Sequence, residues 1–137
     1  MRRFDTPLAV ALATLSLGAV AETPQQMVAA YAAAAAATQP GFTPSAARGR
    51  DLYQRRFTVT ASMASCSACH TADPAAAGTH AVTGKAIQPL APAANAERLT
   101  SATKVEKWFR RNCNDVMGRE CGAAEKADVL QFLMQRG

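Results

Sequence analysis

The sequence predicts an all-α domain on three observations. An Ala-dominated run follows a cap signal near residue 23, two later stretches carry apolar residues at helical spacing, and no credible sheet lies between them. Ahead of these, Arg2 and Arg3, the apolar run Pro7 to Val20 and the small residues Ala19-Val20-Ala21 have the layout of a secretory signal peptide cleaved near Ala21. The apolar run is too short to span a bilayer comfortably, and no later segment reaches 18 apolar residues unbroken. The expected domain is therefore 22–137, with 13 basic against 9 acidic residues. That mild basicity suits an acidic partner at low salt. No basic run interleaved with aromatics points to nucleic acid.

Within that domain, Thr23-Pro24 reads as N-cap and first helical residue, and QQMVAAYAAAAAA predicts a helix over 24–37 with Met27, Val28 and Tyr31 on one face. Gln39-Pro40-Gly41 ends it. Thr43-Pro44 repeats the cap signal before a second helix over 45–56, in which Gly49 costs about 1 kcal/mol relative to Ala unless it admits a close neighbour. From Cys69 to about Thr100, Pro74, Gly78, Gly84, Pro89 and Pro92 interrupt every periodicity. So long a loop in a small domain is uncommon unless functional, and wrapping a flat cofactor is one such use. Thr103 with Glu106 reads as a capping box, with Val105, Trp108 and Phe109 marking a packed helix to about Asn112. Residues 123–135 predict a closing helix around Ala127, Leu130 and Met134.

The chemistry lies in CSACH, residues 66–70. Cys-x-x-Cys-His reads as a c-type haem attachment site: Cys66 and Cys69 form thioethers to one porphyrin, and His70 becomes the proximal iron ligand. A redox dithiol wants a βαβ setting and zinc wants closed tetrahedral ligation. Neither is evident, because Cys113 and Cys121 lie eight apart with no neighbouring His. The proximal imidazole needs an acceptor for its second nitrogen, and by analogy with class I cytochromes c, which this layout resembles, Pro89 or the Ile87 and Gln88 carbonyls before it supply the turn for this.

A glycine-bearing helix before the motif, a looping middle and a closing amphipathic helix resemble the class I cytochrome c fold with an additional N-terminal helix. That plan takes its sixth iron ligand from the C-terminal half. By position Met117 leads; Met63 is too near the motif, Met134 belongs to the closing helix, Met27 is remote, and His80 leaves bis-His ligation open.

GKAIQPLAP at 84–92, VEKWFRRNCNDVMGREC at 105–121 and EKAD at 125–128 resemble the sphaeroides haem protein family, across most of the domain. The resemblance implies that Asn112, directly before Cys113, is the distal ligand, and that Cys113 and Cys121 form a disulfide. Met117 stands as the alternative ligand, and Asn112 or Asn114 has the ordinary reading of a helix C-cap. A disulfide closing so short a loop contributes on the order of 2.5 kcal/mol in the chain-entropy model.

These features predict a periplasmic monohaem c-type cytochrome transferring one electron, with a labile Asn112 that admits O2, NO or CO to the ferrous state. The resemblance also implies redox partners such as a dihaem cytochrome c and a membrane cytochrome b. The alternative is a haem enzyme acting on oxygen, peroxide or nitric oxide, for which His80 and Asp115 are the only candidates for a distal acid or base.

Overall fold

A computed structural model describes residues 22–135, so the expected signal segment lies outside the described residues. The element order is α1 (Pro24–Ala36), α2 (Ala46–Gln54), α3 (Ser67–His70), β1 (Gly78–Thr79), β2 (Ala86–Ile87), α4 (Ala102–Met117) and α5 (Ala123–Met134). The all-α prediction holds apart from one feature. The middle loop contains a minimal antiparallel pair, with Gly78 opposite Ile87 and Thr79 opposite Ala86. Two residues per strand are too few to leave an alternation in the sequence.

Each helix start follows from local chemistry, and two starts differ from expectation. At α1 the Thr23 hydroxyl accepts from Gln26 N–H at 3.2 Å while the Gln26 amide oxygen accepts from Thr23 N–H at 2.8 Å. For α2 the cap is Ser45, which accepts from Arg48 N–H at 3.3 Å, and not Thr43. For α4 it is Ser101, which accepts from Lys104 N–H at 3.4 Å, and not Thr103. In both cases another hydroxyl lies within two residues of the expected one, and the tertiary fold selects between them. At its far end α4 runs on past Asn112 to Met117 and stops at Gly118, whose left-handed φ of 69° suits a glycine. Asn112 and Asn114 are thus helix-interior residues, and neither is the C-cap.

Helix α5 packs against both α1 and α2. One apolar cluster joins Met27, Val28, Tyr53, Val105, Leu130, Phe132 and Leu133. A second joins Leu52, Cys113, Val116, Met117 and Cys121. Burying such side chains contributes about 1.5–3 kcal/mol each. Gly49 sits where α2 crosses α5: a methyl there would overlap the Asp128 carbonyl. The glycine expected to admit a neighbouring backbone does so. Asp128, 6% exposed, locks the same crossing. Its carboxylate accepts from Ser45 N–H at 2.7 Å and from Arg48 Nε and Nη2 at 2.7 and 2.9 Å. Trp108, expected to pack, is instead 48% exposed with the Arg111 guanidinium 5.6 Å from its ring centroid.

Glu106, expected in a capping box, ties three helices together. It accepts from Tyr31 Oη at 2.7 Å and from Lys126 Nζ at 2.7 and 2.9 Å. The Lys126 ammonium first, and then the Tyr31 hydroxyl, hold its carboxyl below the ordinary value of 4.5. The unfolded chain therefore takes up this proton at a higher pH than the folded one. The stability Glu106 contributes is complete above the ordinary value and is lost as pH falls through the lower folded value. Because the side chain is half exposed, its contribution is on the order of 1 kcal/mol. We expect Glu106→Gln to flatten the acid limb of stability against pH, measured by urea unfolding. An acid limb as steep as the parent's would contradict this.

Candidate haem site

Helix α3 is a single turn that carries the motif. His70 N–H donates to the Cys66 carbonyl at 3.1 Å, and Ala68 N–H donates to Ser65 Oγ at 3.1 Å. Cys66 and Cys69 are free and half-buried. Burial pushes the Cys66 thiol up to about 11, so it is uncharged near neutrality. Cys69 Sγ accepts from Ala81 N–H at 3.3 Å. Strand β1 lies directly on the motif: a methyl on Gly78 would overlap the Cys69 carbonyl.

The His70 imidazole is neutral, its pKa lowered to about 4 by burial first and then by the charges of Arg98 and His80. No hydrogen bond to its ring occurs among the described residues. Of the carbonyls expected to orient it, Pro89 O accepts from Arg98 Nε at 2.8 Å and Gln88 O from Arg98 Nη2 at 2.9 Å. What holds His70 is its backbone. Tyr53 Oη lies 3.2 Å from the His70 carbonyl and 3.0 Å from the Thr71 carbonyl, acting as donor to both. Burial raises the Tyr53 pKa, which keeps that donor protonated.

His80 follows β1 on the motif's side of the fold. Its Nδ1 accepts from Val82 and Thr83 N–H, each at 3.2 Å, so the ring caps a turn. That role commits Nδ1 and leaves only Nε2 for any other contact. Asp115 is ion-paired with Arg111 at 3.8 Å on the surface of α4.

Asn112 is half-buried on α4, and its side-chain amide has no hydrogen-bond partner among the described residues. Neighbouring Asn114 is satisfied, donating from Nδ2 to the Arg110 carbonyl at 2.6 Å. Cys113 and Cys121 form a disulfide with Cα atoms 5.7 Å apart. Met117 is buried in the cluster around that bridge, its Sδ 3.7 Å from Cys121 Sγ. With Cys121 oxidised there is no S–H to donate, so this is a packing contact between sulfurs.

A family profile described as a domain of unknown function, DUF1924, matches residues 39–133. The cytochrome c-type protein SHP of Cereibacter sphaeroides is 46% identical over 111 residues, which is 80% of this chain and 81% of that protein. This chain belongs to the sphaeroides haem protein family. The structure of oxidised SHP, described as an oxygen-binding cytochrome c, superposes with a TM-score of 0.76 at 43% identity, covering 85% of this chain and 99% of that one. Cytochrome c'' of Methylophilus methylotrophus is 42% identical over 66% of this chain and 64% of its own length. Its oxidised crystal structure gives a TM-score of 0.78 at 36% identity, over 83% of this chain and 94% of that one. A solution structure of the same protein, described in terms of haem-ligand detachment, gives 0.72 at 38% identity, over 80% of this chain and 90% of that one.

As a member of this family the chain is a c-type cytochrome of class I fold that carries one covalently bound haem c. Its own residues fit that group. Two unpaired thiols sit one helical turn apart, beside a neutral imidazole whose ring nitrogens are uncommitted. Among the described residues no group of three or more His, Cys, Asp or Glu is placed to hold a free metal ion. No described helix is long and apolar enough to cross a membrane. Sequence reasoning missed Tyr53 and Gly78 as supports of the motif. Gly78 was legible only as a loop breaker, and nothing in the sequence pairs residue 53 with residue 70.

Proposed function

We propose that the protein is a periplasmic electron-transfer and gas-binding cytochrome. Cys66 and Cys69 hold the haem, His70 is the proximal iron ligand, and Asn112 is a distal ligand able to leave. When bound, the haem supplies a one-electron Fe(III)/Fe(II) couple and a sixth coordination position open to O2, NO or CO. The observation that carries the reading is the free amide of Asn112. Among the described residues no side-chain polar atom is both fully buried and unbonded, so this half-buried amide meets solvent in the protein alone and is available to coordinate the iron when the haem is bound. Met117 gives weaker support as a ligand, because its sulfur is already packed in the core beside the disulfide.

The amide oxygen is a neutral, hard donor, suited to ferric more than to ferrous iron. The Cys113–Cys121 bridge, which begins at the next residue, anchors α4 so that Asn112 departs by side-chain rotation and returns to the same place. The oxygen binding of SHP and the haem-ligand detachment of cytochrome c'' support this reading. The signal-like segment 1–21 supports export, and the net charge supports an acidic redox partner at low salt.

Ferric and ferrous absorption spectra of the parent, Asn112→Ala and Met117→Leu test the assignment. We expect Asn112→Ala to convert the ferric form to high spin and to bind carbon monoxide faster when reduced, and Met117→Leu to leave both properties unchanged. A sulfur-to-iron charge-transfer band that disappears in Met117→Leu overturns the assignment.

A further inference from the structure

We propose that the Tyr53 hydroxyl is a positioning group for the proximal side of the iron: it holds a strained peptide immediately after His70, and so fixes where the imidazole sits. The proposal rests on His70 being the proximal ligand. Two observations carry it. Thr71 has φ 63° and ψ 169°, a backbone region open to glycine and strained for a β-branched residue. Such a conformation persists only where its surroundings over-determine it.

Here the surroundings are few and identifiable. Thr71 Oγ1 donates to the Asp73 carbonyl at 2.7 Å, a local bond that turns the chain but does not attach it to the core. Among the described residues the side-chain hydrogen bonds that tie the His70 and Thr71 carbonyls to the core come from Tyr53, whose single phenolic proton is shared by them at 3.2 and 3.0 Å. The donor is itself immobile. Tyr53 is 1% exposed, and its ring lies 5.4 Å from that of Phe132 on α5. Helix α2 is held at that crossing by Gly49 and by the Arg48–Asp128 pair. With no hydrogen bond to the His70 ring among the described residues, the position of the imidazole is inherited from its backbone. Loss of the hydroxyl frees Thr71 to relax toward extended φ, which rotates the peptide joined to His70.

Tyr53→Phe keeps the ring and removes only the O–H. In reduced holoprotein we expect the iron–histidine stretching band in resonance Raman to shift and broaden. The carbon monoxide dissociation rate should change roughly 2- to 10-fold, the range spanned by one net hydrogen bond. Thr71→Gly, which removes the strain, should restore both readouts when added to Tyr53→Phe. Tyr31→Phe removes a hydroxyl bonded to Glu106, away from the motif, and should move neither readout.

An unmoved band in folded Tyr53→Phe, or a moved band that Thr71→Gly does not restore, overturns the proposal. If Tyr53→Phe yields no folded holoprotein, recovery on adding Thr71→Gly supports it and failure to recover overturns it. A reduced parent protein without an iron–histidine band would instead sink the proposed function, in which His70-bound iron loses its distal ligand on reduction, an outcome separate from the others.

Discussion

A Cys66→Ala/Cys69→Ala protein, matured in a host that attaches c-type haem, is expected to release all of its haem into acidified acetone, whereas the parent retains it on the polypeptide. Either single variant should keep one thioether and resist extraction. The reason is an exhaustive thiol inventory: of the four cysteines, Cys113 and Cys121 are consumed by the disulfide, which leaves only the motif pair. Those two thiols project from one helical turn, next to the neutral His70 imidazole. The double variant should also unfold more easily, since a small domain depends on such staples. Extraction and intact-mass measurement check the expectation; extraction-resistant haem in the double variant would contradict it.

Gly49→Ala is expected to lose about 3 kcal/mol or more of stability, at the upper end of overpacking effects. The added methyl meets the Asp128 carbonyl and the Val129 amide of α5, which are backbone atoms without rotamers to yield. Helices α2 and α5 would have to separate. That movement would lengthen the Asp128 hydrogen bonds to Ser45 and Arg48 and loosen the Tyr53–Phe132 contact. Against a total of about 5–15 kcal/mol for an ordinary domain, the loss is large. Urea unfolding measures it, and a midpoint within error of the parent's would show that the crossing has slack. The same experiment on the reduced protein asks whether a loosened α2 also disturbs carbon monoxide binding through Tyr53.

Several elements were legible because their cause is local. Thr23-Pro24 and the Ala run specify α1 within a residue of its observed end, and CSACH specifies the cofactor without reference to any other segment. Other elements were misread because a local cause had local competitors. Ser45 displaced Thr43 and Ser101 displaced Thr103, each pair being chemically equivalent as caps. The sequence pattern stops α4 near Asn112 because Asn is a plausible stop, while the true stop at Gly118 lies one turn and more further on. Trp108 shares the spacing of Val105 and Phe109, which predicts packing, yet it sits at the solvent edge of that stripe.

By itself, then, the sequence determined the helical class, the haem motif and the membership implied by the RNCN region, because each is encoded within a short window of neighbouring residues. Only the tertiary structure decided that His80 caps a turn on the motif's side, that Met117 is packed beside the disulfide, that the Asn112 amide has no partner among the described residues and that Tyr53 reaches the carbonyl after which the chain bends. These depend on which side chains the crossing of α2, α4 and α5 brings together. Hydrogen-bonding capacity is a property of a residue, but whether it is spent is a property of its neighbours in space.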